Sequence, residues 1–490
     1  MTSVPSHLPP LNGSKVLAFL IFLGSVVSSC TPAKVVKSPQ VIKADTGTKP
    51  KDTGKAPTAS DTKPAEKSQP AIPQGNEKNM PSSADMIVRV PVDTVSWTDV
   101  SQNKKPITIK QKPKVVFNDG LERKEIYHVT MLIPFDSDGG SKPSESRFVH
   151  FYAGALLALE ALDAEGYKLD VNVIDTEEGS FKVTEKLDKI LGDSTDLVIG
   201  PFDREALKFL AEECKLRKIP LISPWQTSTK ITVENPYYIQ MKPNLKDHFL
   251  KLAQTTSASY QKGEVVIIGK DNKDTQAWIK YFQEAAKESI GEKDFFTTYF
   301  VSTDSLSLGP TAFRRMLRNP KIKAVIVPNY SYNDEDFIYS CLRRLSAEKA
   351  GRSISVFGMP VMYDSDKIDF DYYHSLQMKV VMSDFVDLDH GKIREFRRDF
   401  LDMFGEIPTS EAVKGYDLLL YIGRNLNNYG KNFQYYLEND PASYLQSIYE
   451  IKKAKSEDSP VANDPLKFDY FENKHLDIIE FRGNKWERKR

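Results

Sequence analysis

The chain has 490 residues, and at about 150 residues per domain that length implies two or three folded units. Hydrophobic residues make up 40% and charged residues 27%, an ordinary globular composition that excludes a protein embedded in a membrane. Lys plus Arg and Asp plus Glu each number 67, so the formal charge is zero, which excludes a generally basic nucleic-acid binder and a polyacidic solvating tail.

The one strongly apolar stretch near the start, VLAFLIFLGSVV from Val16 to Val27, follows Lys15. As a helix it reaches about 18 Å, short of a hydrocarbon core of roughly 30 Å, so it reads as a signal peptide over residues 1–29. Val27-Ser28-Ser29-Cys30 resembles the bacterial lipobox, in which the cysteine becomes the lipid-bearing first residue; the alternative is an ordinary signal peptide cut near Ser29. From Thr31 to about Asp85 there is no aromatic residue, and Pro, Lys, Thr, Ser and Asp recur in blocks, so residues 30–85 read as a disordered tether with a mean span of about 40 Å or more. Residues 86–125 alternate apolar and polar side chains and read as a short strand-like extension.

From Ile126 strand and helix patterns alternate. YHVTMLIPF, KLDVNVID, DLVIGP and IPLISP read as strands, with helices over about Arg147 to Glu165, Phe181 to Leu191 and Arg204 to Arg217 between them. Helical crossovers make such strands parallel and cover both sheet faces, hence their nearly continuous Val, Ile and Leu. A second series follows Tyr238: a helix from Leu245 to Ser259, EVVIIGKD, a helix from Thr275 to Glu288, FFTTYFVS, a helix near Thr311 to Leu317, AVIVPNY, a helix from Glu335 to Leu345, and SISVFGMP. After Met362 come MKVVMSDFV, a helix GKIREFRRDFLDMFG, then PTSEAVKGYDLLLYIGRNL and a strand-like end in which ENK reads as a hairpin turn. The fold class is α/β, two Rossmann-like lobes in tandem.

The order and spacing of LIPF, Gly154 with ALLALEAL, Asp175-Thr176, VIGP, IPLISP, YYIQMKP, GKD, and FGEIP with GYDLLLYIG make residues 126 to about 485 resemble type I periplasmic solute-binding proteins of the branched-chain amino-acid receptor family. That resemblance implies parallel-sheet lobes joined by a three-strand hinge. It places lobe one at 126–243 and 362–430, and lobe two at 244–361 and 431–490.

Polar groups gather beyond the carboxyl ends of parallel strands, where helix N-termini present free amides. Those ends bring forward Phe135, Asp175, Phe202, Arg204, Trp225, Gln226 and Thr227 in lobe one, and Asp271, Asp274, Asn329 and Tyr330 in lobe two. Trp225 and Tyr330 are suited to sandwich an apolar or ring-shaped ligand, and Arg204 and Thr227 to hold an anionic group. Plainer roles stay open: lobe packing for Trp225, a salt bridge for Arg204, a cap for Asp175. Against the family pattern, Arg204 stands at a hydroxyl position, Trp225 at a small-residue position, and Leu245 where the resemblance implies the acidic residue that grips the ligand ammonium. An uncompensated ammonium in a closed cleft costs several kcal/mol, so Leu245 argues against a free α-amino acid unless Asp274, Asp334 or Glu335 supplies the charge.

Three cysteines and seven histidines without metal-ligand spacing point to no disulfide framework, metal or cofactor. Cys214 and Cys341 read as small buried residues on helices of different lobes. No nucleophile elbow, Walker loop or dinucleotide fingerprint is present, so no enzyme is expected. The resemblance implies a lipid-anchored, periplasm-facing protein that closes on an amino-acid-like or peptide-like ligand for ABC-type transport or sensing, with an ABC permease as partner. The alternative is a scaffold or regulator of peptidoglycan synthesis, with a cell-wall synthesis protein as partner.

Overall fold

Parallel strands buried on both faces favour apolar side chains at most positions, and the first series supplies them in β1 (Tyr127–Ile133), β3 (Thr195–Ile199), β4 (Leu221–Ser223) and β5 (Tyr238–Gln240), with β2 (Leu169–Asp175) at the edge. The computed structural model describes residues 121–135, 143–176, 182–292, 294–307, 311–460, 464 and 466–489, all within the unit Trp97–Arg490. The signal segment, Cys30, the tether and residues 86–120 of the extension lie outside the described residues.

The first sheet runs β13-β14-β5-β4-β3-β1-β2, where β13 (Ile451–Ala454) is antiparallel to β14 (Tyr470–Asn473) and β14 is parallel to β5. Two short strands, β11 (Ala442–Ser443) and β12 (Ile448–Tyr449), pair with each other outside it. Strand periodicity divides its core in two. Leu132, Val198, Leu221 and Tyr238 face α2 (Arg204–Arg217) through Leu207, Leu210 and Cys214. Met131, Ile133, Ile199, Ile222 and Ile239 face α1 (Pro143–Ala164) and a long helix, Ser410–Tyr429.

The second sheet takes β6 (Val265–Lys270), β7 (Thr297–Val301), β8 (Ala324–Val327), β9 (Ser355–Gly358) and β10 (Lys379–Met382) in parallel, then β15 (Asp477–Arg482) and β16 (Lys485–Arg488) antiparallel, in the order β16-β15-β10-β9-β8-β6-β7. Its core is one cluster, filled by α3 (Leu245–Ser259), α4 (Lys273–Ile290) and α5 (Glu335–Glu348); Cys341 is buried there. The chain completes lobe one with α6 (Gly391–Phe404) and α7 (Ser410–Tyr429).

Sharp helix starts hold the loops at the cleft. Asp203, Asn244 and Asn272 cap α2, α3 and α4, their side chains accepting from Ala206 N at 2.8 Å, Asp247 N at 3.0 Å and Thr275 N at 2.7 Å. Two expected helices are shorter than read, one becoming Leu187–Ile190 after a 3-10 turn and the other Arg314–Leu317.

The lobe boundaries at 362 and 430 need correction. The run MKVVMSDFV, expected in lobe one, forms β10, which pairs with β9 in the second sheet, so the second crossing begins at Ser383. The segment after 430, expected in lobe two, supplies β13 and β14 to the first sheet. ENK is therefore no hairpin turn: β14 ends at Asn473, β15 starts at Asp477 in the other sheet, and the link between them is the third crossing. The terminal hairpin is β15–β16, turning at Gly483, whose φ is +57°.

Candidate functional site: a hinged cleft

Three strand ends carry the chain between lobes: Met241 to Asn244, Ser383 onward, and Lys474 to Leu476. Each is pinned by charge. Lys242 Nζ lies 3.1 Å from Asp384, tying the first crossing to the second, and Lys414 Nζ on α7 reaches Asp384 at 3.3 Å and Glu411 at 2.5 Å. Burial pushes the Asp384 carboxyl up, but the two ammonium groups outweigh it and hold it below the usual carboxylate range. Glu472, fully buried at the end of β14, accepts from Asn244 N at 2.7 Å and Asn244 Nδ2 at 2.8 Å. Lys474 Nζ bridges Glu472 in lobe one and Asp247 in lobe two, both at 2.7 Å.

In front of this hinge a cleft of about 620 Å³ opens between the lobes. Lobe one contributes Arg204 and the loop Thr227 to Lys230, with Glu457; the first crossing and the start of α3 contribute Pro243 to Lys246 and His248. Lobe two contributes Tyr281, Tyr330, Tyr332 and the turn Met359 to Val361. The walls therefore offer hydroxyls, three tyrosine rings and several cations. Buried His248, its Nδ1 2.8 Å from Asn244 O, has its pKa lowered by burial, so it adds no charge near neutral pH.

Of the expected site residues, Arg204, Thr227 and Tyr330 line the cleft. Trp225 does not. Its indole packs at 4.9 Å from Phe151, 5.3 Å from Phe148 and 6.0 Å from Phe202, and its N–H donates to Glu411 at 3.3 Å. The expected sandwich with Tyr330 is thus replaced by lobe packing, because α1 brings two phenyl rings under the loop after β4. Tyr330 stacks edge-on against Trp278 instead. Phe202 belongs to the same aromatic cluster, and Gln226 donates to Phe202 O at 3.1 Å, bracing two loops of one lobe. Asp175 accepts from Phe135 N at 3.0 Å, fixing the end of β1. Asp271 takes a bond from Gln276 at 3.3 Å, Asp274 is exposed in the first turn of α4, and Asn329 is fully buried, donating to Asp334 at 3.0 Å.

The expected site residues do not include those of the first crossing, Pro243 to Lys246, and stop at Tyr330, although the strand end that carries it runs on to Tyr332. The signal for the crossing was the point where the first series of strands gives way to the second; a chain changing lobes there must pass the back of the cleft. Among the described residues no group of His, Cys, Asp and Glu is arranged to hold a metal ion, and no helix is long and apolar enough to cross a membrane.

Two mostly parallel α/β lobes joined by three crossings over a cleft define the type I periplasmic-binding-protein fold. Residues 152–357 match the family model of the receptor family ligand binding region. A structure from Rhodospirillum rubrum described as a branched-chain amino acid ABC transporter is similar at a TM-score of 0.55 and 12% identity, over 74% of this chain and 99% of that one. A branched-chain amino acid ABC transporter periplasmic ligand-binding protein from Burkholderia xenovorans is similar at a TM-score of 0.50 and 12% identity, over 74% and 94%. At these identities the likeness is one of fold. No curated protein sequence matches the chain.

Proposed function

We propose that this chain is a ligand-binding protein of the bacterial cell envelope whose lobes close on a small molecule, handing it to an ABC-type permease or reporting its presence. The observation that carries this reading is the cleft of about 620 Å³, a size usual for small-ligand sites, with walls from both lobes and a hinge behind. Closure removes the ligand from water and brings polar groups of two rigid bodies onto it.

The test is thermal denaturation of the full chain against amino acids, short peptides, sugars, cell-wall fragments and organic acids. A true ligand at a hundred times its dissociation constant adds about 2.7 kcal/mol of stability and raises the melting temperature. A panel without any shift contradicts the reading.

The lipid anchor at Cys30 belongs to the same proposal: two or three acyl chains, at about 0.8 kcal/mol per buried methylene, hold a tethered domain at a bilayer facing the periplasm. Metabolic labelling with a clickable fatty acid should tag the wild type and not Cys30→Ala; equal labelling refutes the anchor. A second reading, a scaffold for envelope synthesis that keeps the fold without closing, is favoured by one observation, the Lys474 bridge from Glu472 of one lobe to Asp247 of the other.

A further inference from the structure

Charges at the cleft are unevenly satisfied. The acidic groups of lobe two near it already have partners. Asp334 accepts from Asn329 at 3.0 Å, Glu335 lies 3.2 Å from Lys367 and accepts from Ser365, and Asp364 accepts from Tyr332 OH at 2.8 Å. Asp247 is held by Lys474, and Glu457, the acidic residue lining the cleft, lies 3.3 Å from Lys230. Leu245 brings an apolar side chain to the cleft wall at the start of α3.

Two guanidinium groups in lobe one stand in contrast, Arg204 in the cleft wall and Arg147 beside it, outside the lining residues. Arg204 donates to the neutral Ser228 hydroxyl at 3.2 Å and forms no ion pair among the described residues. Arg147, in the first turns of α1, is half-buried, and its Nε is buried with no hydrogen-bond acceptor. Its guanidinium carbon sits 4.5 Å from the Phe148 ring centre and 4.8 Å from that of Phe202, two residues before Arg204. The rings hold the fork of Arg147 and shield its Nε from water without neutralising the charge. Burial and the Asp364 carboxylate push the Tyr332 hydroxyl up, while Arg147 pulls it the other way, so the Arg147 charge is felt by a cleft residue of the opposite lobe.

A buried guanidinium N–H with no acceptor is costly unless an anion completes it. We infer that Arg147 and Arg204 form an oxyanion-recognition pair, and that the ligand of this cleft is a small organic carboxylate with an apolar or ring-shaped body and no free α-ammonium group. The carboxylate meets the arginines of lobe one, and the body lies against the tyrosines of lobe two. This rests on the ligand-binding reading above and adds the ligand class to it.

The experiment melts the full chain with benzoate, phenylacetate and 4-methylpentanoate, each beside its closest neutral or ammonium-bearing counterpart: benzamide, phenylglycine and leucine respectively. The expected result is stabilisation by the carboxylates alone, with affinity falling roughly ten- to hundredfold in Arg147→Gln, as loss of a charge-assisted bond implies, and a partial return in Arg147→Lys. Arg204→Gln, at an exposed position, repeats the test where folding is not at issue. If only the amino acids or neutral compounds stabilise the chain, the inference falls and the ligand-binding reading stands. If nothing stabilises it, both fall. Carboxylate binding indifferent to both arginine substitutions also overturns the inference.

Discussion

Lys414→Ala is expected to cost about 3–5 kcal/mol of stability, the penalty for removing one member of a buried charge network. Lys414 is 9% exposed and stands between Asp384 at 3.3 Å and Glu411 at 2.5 Å. Truncation leaves two carboxylates on a buried site with Lys242 alone, and Lys242 is 27% exposed and bonds only the first of them. The deficit should also depend on pH. Burial raises the carboxyls of Asp384 and Glu411, and the nearby lysines more than reverse this, so both titrate below their unfolded values. Their contribution is complete above the ordinary carboxylate range of about 4 and is lost as pH falls through the folded values. The gap between wild type and variant, measured by urea denaturation, should hold down to about pH 4 and narrow as the pH falls below it. A change under about 1 kcal/mol at pH 7 contradicts the buried network, since that is the value of an exposed pair.

Gly154→Ala and Gly415→Ala are each expected to destabilise by about 3 kcal/mol, the upper end of overpacking costs. Helices α1 and α7 touch backbone to backbone there. A Cβ on Gly154 would lie 1.8 Å from Ala412 O, and one on Gly415 would lie 1.9 Å from Phe151 O. Neither obstacle is a flexible side chain, so the helices must separate and open the core around Phe151 and Leu418. Alanine gains about 1 kcal/mol of helix propensity over glycine, too little to offset the clash. Gly391→Ala, at the start of α6 with nothing within 4 Å of its added carbon, should be neutral or slightly stabilising. Because Gly154 and Gly415 separate the same two helices, the double variant should cost less than the sum. Melting temperatures of the set decide it; Gly154→Ala melting with the wild type would contradict the close contact.

The parallel lobes were legible because burial on both faces writes itself into strands such as LVI and VVII, which alternate with longer helical runs. The first crossing was legible as the gap between two complete series. The second and third were not. A short run such as KVVM is equally apolar in either sheet, and Asn473-Lys474 has turn chemistry whether the chain reverses or changes lobes; pairing of β10 with β9 is a long-range fact. At the site, Arg204, Thr227 and Tyr330 followed from strand ends alone. Trp225 did not, because its place is decided by Phe148 and Phe151, nearly eighty residues earlier. Arg147 was read only as the start of a helix, since nothing local tells that Phe202 folds back over its side chain at 4.8 Å.

A closing receptor needs lobes that move about the three crossings when the cleft is filled. Spin labels at Leu216→Cys on α2 and Lys280→Cys on α4, positions 75% and 78% exposed, report that motion in a Cys30→Ala background where Cys214 and Cys341 are buried. Adding the most stabilising compound should shift the inter-label distance distribution saturably and narrow it. An unchanged distribution at saturating compound would contradict the closing receptor and leave the rigid scaffold.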